Sequence, residues 1–342
     1  MAVPCRRFPT DAFRGKTAPR PHRATDGPRY PLYDDRFSLD SPTGALLNVY
    51  HAAPKAKPRG VLVVLHGLAE HAGRYARFAG EMAAQGFHVY AADHRGHGST
   101  TAFDAPLRRF AHSRGAQKLV ADVHAVLDHA HIQHHDLPVI LFGHSMGGLI
   151  ALNTALKYGK DLAGLAVWNA NPAMTLQEKL AVLALKVEKA LKGSDVQSDL
   201  FARATFEAWG KSVEPRRTGA DWLSHDPAAV DLYLDDPLCG WTPTVSMAED
   251  LIALVATADH GVRAGGLPAS LPVHLLGGTA DPATQNGQAL TALAEKLRLA
   301  GTRNLTLTLV EGARHETLRE IEPYRDQGLA SLTAWLDRVL PR

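Results

Sequence analysis

The chain is almost free of cysteine: Cys5 and Cys239 are its only two in 342 residues. Two cysteines make no disulfide framework. Cys5 lies in a polar, proline-rich stretch where pairing with Cys239 is not expected, so a reducing, cytoplasmic compartment fits. No run approaches the roughly 18 to 20 apolar residues that a membrane-spanning helix needs. Charge of one sign is missing too, since 37 Lys and Arg against 35 Asp and Glu leave a net +2. That balance argues against nucleic acid, or an anionic surface gripped by overall charge, as a partner. There is no internal repeat. Gly96-His97-Gly98 lacks the third glycine and the helix opening of a dinucleotide fingerprint. His129, His131, His134 and His135 crowd together, with His131 and His135 spaced to share an ion on a helix, but no carboxylate or cysteine spacing completes a set. They read as a solvated helix end. Neither a metal nor a cofactor is expected.

What is present is an ordinary globular composition, 45% hydrophobic and 21% charged. Residues 1–33 stand apart, mixing arginines with prolines and showing almost no apolar periodicity. Arg6-Arg7 is followed by no apolar segment, which excludes a twin-arginine export signal. The tail is read as a disordered extension outside the fold.

From residue 36 onward, strands alternate with helical patterns. Phe37-Ser38-Leu39 and Leu46 to Tyr50 flank a Ser41-Pro42-Thr43-Gly44 turn and predict an antiparallel hairpin. Apolar runs follow at Val61 to Leu65, Phe87 to Ala91, Val139 to Phe142, Leu165 to Trp168, Pro272 to Leu276 and Leu305 to Val310. Uninterrupted runs of this kind suit strands covered on both faces. The expected fold class is therefore α/β, a mostly parallel eight-stranded sheet with helices on each side. Helical periodicity falls near 74–85, 115–131, 147–158, 286–300 and 323–340.

Between Trp168 and Pro272 the alternation stops, and a structureless loop of that length is implausible in a compact domain. The expected organisation is a core of residues 34–170 and 270–342, interrupted by a helical cap at 171–269. The first cap helix carries Leu180, Leu183, Val187 and Leu191 on one side. That face is expected to pack on the domain below; contact with a lipid surface is the alternative.

The chemistry centres on Gly143-His144-Ser145-Met146-Gly147-Gly148, directly behind a strand and ahead of a helix. This is G-x-S-x-G at a strand-to-helix turn, the context of a nucleophile elbow. A serine hydroxyl needs a base to take its proton and a third group to orient that base. Asp281 follows the strand ending at Leu276, and His315 follows the strand ending at Val310. The order Ser, Asp, His is that of α/β-hydrolases. Asp93 and Glu316 compete for the acid's role. Asp93 precedes the serine in a loop that looks structural, and Glu316 is directed away from its neighbour His315 by the local chain. The N–H groups of Met146 and of Leu68, the latter in the turn after the first long strand, are expected to form the oxyanion hole.

Three segments carry a family resemblance. His66-Gly67-Leu68-Ala69-Glu70-His71-Ala72-Gly73-Arg74-Tyr75, Asp93-His94-Arg95-Gly96-His97-Gly98-Ser99 and the Ser145 motif resemble the monoacylglycerol lipase and lysophospholipase group of α/β-hydrolases, often placed with the serine aminopeptidase-like hydrolases. Trp222 to Pro227 and Tyr233 to Gly240 are similar to its bacterial members. The resemblance implies hydrolysis of a small acyl ester, such as a monoacylglycerol or lysophospholipid, with Ser145, Asp281 and His315 as triad. It also implies a polar head-group pocket near Glu70, Arg74 and Tyr233, although an ion pair bracing the oxyanion loop suits Glu70 and Arg74 equally. Two departures stand out. Leu318 replaces a histidine that animal-type members carry there, and Phe201 to Thr218 lengthens the cap. An amidase or aminopeptidase using the same triad is the alternative, with Glu70, Asp235 or Asp236 holding a substrate ammonium. Oligomeric state is not legible.

Overall fold

A computed structural model describes residue 30 and residues 33–340. Nearly all of the basic tail, Cys5 included, lies outside the described residues. Two residues counted with it belong to the folded body. The Tyr33 hydroxyl donates to the Ala72 carbonyl at 3.0 Å, and the Tyr30 hydroxyl to Asp236 Oδ2 at 2.9 Å.

Strands β1 (Asp35–Asp40) and β2 (Ala45–Ala52) form the expected antiparallel hairpin, with Gly44 at φ +80° closing the turn. The parallel strands are β3 (Gly60–Leu65), β4 (Phe87–Ala92), β6 (Val139–His144), β7 (Gly164–Trp168), β8 (Val273–Gly278) and β9 (Leu305–Val310). Their spatial order is β1-β2-β4-β3-β6-β7-β8-β9, and a two-residue β5 (Thr101–Ala102) adds a ninth strand beside β2. The uninterrupted apolar runs are explained by burial on both faces. Val61, Val63 and Leu65 enter one core cluster, while Leu62 and Val64 enter the other, as a period of two requires. Helices α2 (Gly115–Gln133), α3 (Met146–Tyr158) and α9 (Gln288–Leu299) cover the first face; α1 (Ala76–Ala84) and α10 (Tyr324–Val339) cover the second.

Between β7 and β8 lie α4 (Leu176–Lys192), α5 (Asp199–Ala204), α6 (Phe206–Lys211), α7 (Pro227–Leu234) and α8 (Val245–Arg263). Two features differ from the sequence reading. First, α8 packs with the core, its Leu251, Leu254, Ala258 and Val262 joining the same cluster as α3. Second, the apolar stripe of α4 faces outward. Leu180, Leu183, Val187 and Leu191 are 58%, 62%, 52% and 80% exposed, whereas Leu185 packs against Val245 and Ala248 of α8. Periodicity reveals that a helix has an apolar face, not which way the face turns.

A buried cation fixes the loops that leave the sheet on the β4 side. Arg95 is fully enclosed; its Nε donates to Asp122 Oδ2 at 2.6 Å, and its other nitrogens reach the Phe110 carbonyl and the Thr43 hydroxyl. Removing the partner of a buried charge typically costs about 3–5 kcal/mol. Asp122→Ala should therefore lower the unfolding free energy by about that amount, read from urea melts. A loss below ~1 kcal/mol, the range of an exposed pair, would show that the pair is not structural.

Candidate active site

Strand β6 ends at His144, and Ser145 begins the turn into α3 at φ +55°, ψ −119°. Few residues other than glycine adopt positive φ, so the turn is held from outside. The Ser145 N–H donates to the Trp168 carbonyl at 2.8 Å. Gly147 must lack a side chain, because a Cβ there would run into the Leu65 carbonyl at the end of β3. Met146 opens α3, so its N–H is one of the four that a helix start leaves without an intrahelical acceptor.

The Ser145 Oγ lies 2.9 Å from His315 Nε2, and His315 Nδ1 lies 3.0 Å from both oxygens of Asp281. Asp281 has no solvent exposure. Burial pushes its carboxyl upward, but His315, Asn169 and Thr284 outweigh that and hold it below the usual carboxylate range. Asn169 escaped the sequence reading. It ends the β7 run at φ +50°, donates Nδ2 to Asp281 Oδ2 at 3.1 Å and accepts from the Thr317 hydroxyl at 3.1 Å. Its only local signal is that asparagine tolerates positive φ immediately after a strand.

Leu68 and Ala69, the latter at φ +55°, form the crest of the loop after β3. Glu70 braces that loop from below: its Oε1 accepts the Gly67 N–H at 2.5 Å and the Tyr75 hydroxyl at 2.8 Å. Arg74 pairs with Glu70 and, bidentately at 2.6 and 2.8 Å, with Glu316. Burial would raise Glu70, yet Arg74 and then His144 keep it well below the ordinary carboxylate value. Tyr233 lies over the Arg74 guanidinium at 4.9 Å. The two competing acids have other duties. Asp93 accepts from the N–H groups of Ala72 and Ser99 and from Asn48 Nδ2, while Glu316 turns to Arg74.

The loop bearing His315 is clamped to the segment between β7 and β8. The N–H groups of His315 and Glu316 donate to the carbonyls of Trp222 and Leu223, at 3.3 and 2.7 Å, and the Trp222 ring lies 4.9 Å from the His315 ring. Above Ser145 opens a cavity of about 340 Å³, walled by Leu149, Leu185, Phe201, Phe206, Trp209 and Trp222. Leu68, Met146, Glu70 and Tyr233 reach it as well, whereas Arg74 and Leu318 face a neighbouring cavity of about 260 Å³ that shares Glu70, His144 and Glu316 with it.

Over residues 56–322 the sequence matches the serine aminopeptidase, S33, family. It is 31% identical to a monoacylglycerol lipase of Mycolicibacterium smegmatis, across 83% of this chain and 90% of that protein. With the human monoglyceride lipase it shares 28% identity over 90% of this chain and 91% of the relative. Among solved structures, a thermostable carboxyl esterase from Bacillus coagulans, in complex with glycerol, superposes with a TM-score of 0.79 at 26% identity, covering 89% of this chain and 98% of the other.

His144 supplies a test of the electrostatics. Its Nε2 donates to the His315 carbonyl at 3.0 Å, and its Nδ1 lies 3.7 Å from Glu70. Burial disfavours its charge, but Glu70, followed by Glu316, raises it above the ordinary imidazole value. The stabilisation from that charge is complete below pH ~6.5 and is lost as pH rises through the folded value. Wild type should therefore lose more stability than Glu70→Gln between about pH 6 and 9, measured by urea melts. Equal slopes would remove Glu70 as the cause.

Proposed function

The chain belongs to the serine aminopeptidase, S33, family and is a serine hydrolase of the α/β-hydrolase fold, and on that premise we propose that it hydrolyses monoacylglycerol, lysophospholipid or similar single-chain acyl esters through an acyl-enzyme on Ser145. The observation that carries this reading is the hydrogen-bond chain from Ser145 Oγ through His315 to a buried Asp281, opening beneath an apolar cavity. His315 Nε2 takes the serine proton as Oγ attacks the ester carbonyl. Asp281 accepts from Nδ1, fixing the tautomer and stabilising the imidazolium that forms. The carbonyl oxygen, now an anion, is received by the N–H groups of Leu68 and Met146. His315 then protonates the departing alcohol, and water, deprotonated by the same nitrogen, releases the acid. The acyl chain lies among Leu149, Phe201, Phe206 and Trp209.

An aminopeptidase would need a free carboxylate to hold an ammonium. Glu70 is engaged by Arg74, Asp236 by His71 at 3.0 Å and by Tyr30, and Asp235 lines neither cavity. The ester reading is therefore favoured over the amide one. Glu70 and Arg74 serve chiefly to brace the oxyanion loop, and Tyr233 contributes to the cavity wall.

We further assign α4 to α7 to a cap over the cavity, with the outward stripe of α4 as its contact with the lipid surface from which such substrates are drawn. Five large apolar side chains at helical spacing, Leu176 included at 70% exposure, form a face that water solvates poorly. Among the described residues no helix is long and apolar enough to cross a membrane, so the contact is interfacial.

Ser145→Ala should lower kcat for p-nitrophenyl acyl esters on the order of 10⁶-fold with an unchanged fold. Asp281→Asn should lower it about 10⁴-fold by permitting the wrong tautomer. Near-wild-type turnover in either variant would overturn the mechanism. For the lipid surface, wild type should co-sediment with phosphatidylcholine vesicles and Leu180→Glu/Leu183→Glu should not, while both hydrolyse a water-soluble ester equally. Equal sedimentation of the two proteins would dismiss α4 as the docking face.

A further inference from the structure

The fold gathers three histidines that lie far apart in sequence. His51 is near the end of β2, His88 is the second residue of β4, and His134 caps the C-terminus of α2. Strands β2 and β4 pair antiparallel with His51 opposite Tyr90, so His51, Tyr90 and His88 share one face of the sheet, and the end of α2 folds back onto that face. One ring nitrogen from each histidine falls within 4.8 Å of the others. His51 Nε2 and His88 Nδ1 are 3.1 Å apart, the His88 and His134 rings stack at 3.6 Å between centroids, and Tyr90 Oη lies 2.9 Å from His134 Nε2. The cluster lies at the β4 entry of the sheet. Ser145, by contrast, follows the exit of β6, so the two are at opposite ends of the parallel strands.

From this convergence we propose that His51, His88 and His134 form a binding site for a borderline divalent transition-metal ion of the Zn²⁺ kind, separate from the hydrolytic centre. Imidazole nitrogen is the preferred ligand for such ions, and three of them with a water complete a tetrahedron. Bonds of about 2.0–2.1 Å place ligand nitrogens roughly 3.4 Å apart in that geometry. His51 Nε2 and His88 Nδ1, 3.1 Å apart, are near that spacing, and the His134 ring must turn out of its stack on His88 to bring in the third nitrogen. All three rings are half-buried, so they can swing on their side-chain torsions without repacking the core. Tyr90 supplies the outer contact that orients a ligating ring. An ion here ties β2, β4 and α2 together and stabilises the fold by its binding free energy.

The sequence pairing of His131 with His135 is the natural control. His135 is exposed and pairs with Asp136, and neither residue belongs to the cluster. Untagged full-length protein, freed of metal by chelator, should be titrated with ZnCl₂ by calorimetry. One equivalent should bind at a tightest site, weakened about tenfold or more in His88→Ala and, independently, in His134→Ala. The double variant His131→Ala/His135→Ala should bind as wild type does. Ester turnover in every variant should match wild type, which reports that the chain is folded. The proposal is overturned by absence of a one-equivalent site, by undiminished affinity in the cluster variants, or by an equal loss in the control.

Discussion

Ser145 is held at φ +55°, ψ −119°, a backbone state that a serine keeps only when its surroundings permit no relaxation. The arrangement around it enforces that state. The Ser145 N–H is tied to Trp168, Gly147 lies flush against the carbonyl of Leu65, and strands β3, β6 and β7 are locked side by side in parallel register. Because the turn sits where three strands end, the hydroxyl leaves the sheet at the point reached by the loops after β3, β8 and β9. Those loops carry Leu68, Asp281 and His315. A single strained residue thus sets the Ser145 hydroxyl against His315 at the C-terminal edge of the sheet.

The supporting shell is charged and buried, unusual for a structure that could have been braced by apolar contacts alone. Glu70, Arg74 and Glu316 form a continuous ion-paired group beneath the loop after β3, and Glu316 is the residue next to His315. The loop after β3 and the loop bearing His315 are therefore linked through one guanidinium. Buried pairs of this kind add little net stability, because desolvation offsets attraction. What they provide is geometry, since a bidentate contact tolerates little displacement. The backbone of His315 and Glu316 is also held by the carbonyls of Trp222 and Leu223, which couples the segment between β7 and β8 to the Ser145–His315–Asp281 chain.

How much of this was legible in the sequence follows from the range of the interactions. Strands buried on both faces announce themselves by uninterrupted apolar runs, and the elbow announces itself by small residues around Ser145. Chain order then pointed to Asp281 and His315. Contacts that arise only in three dimensions were not legible. Asn169, just past the end of β7, supports Asp281 across the sheet edge. Tyr30 and Tyr33 look like tail until their hydroxyls meet Asp236 and Ala72. The α4 stripe obeys helical periodicity whether it faces core or solvent. Likewise the histidine-rich end of α2 showed His131 and His135 as the pair with ligand spacing, whereas the fold brings His134 to His51 and His88 instead.

We propose that this geometry makes Ser145 the nucleophile and His315 its base. The most direct measurement is the site of reaction with a fluorophosphonate, mapped by peptide mass spectrometry. One adduct is expected, on the peptide containing Ser145, with labelling slowed by orders of magnitude in His315→Ala. An adduct on another residue, or none at all, would contradict it.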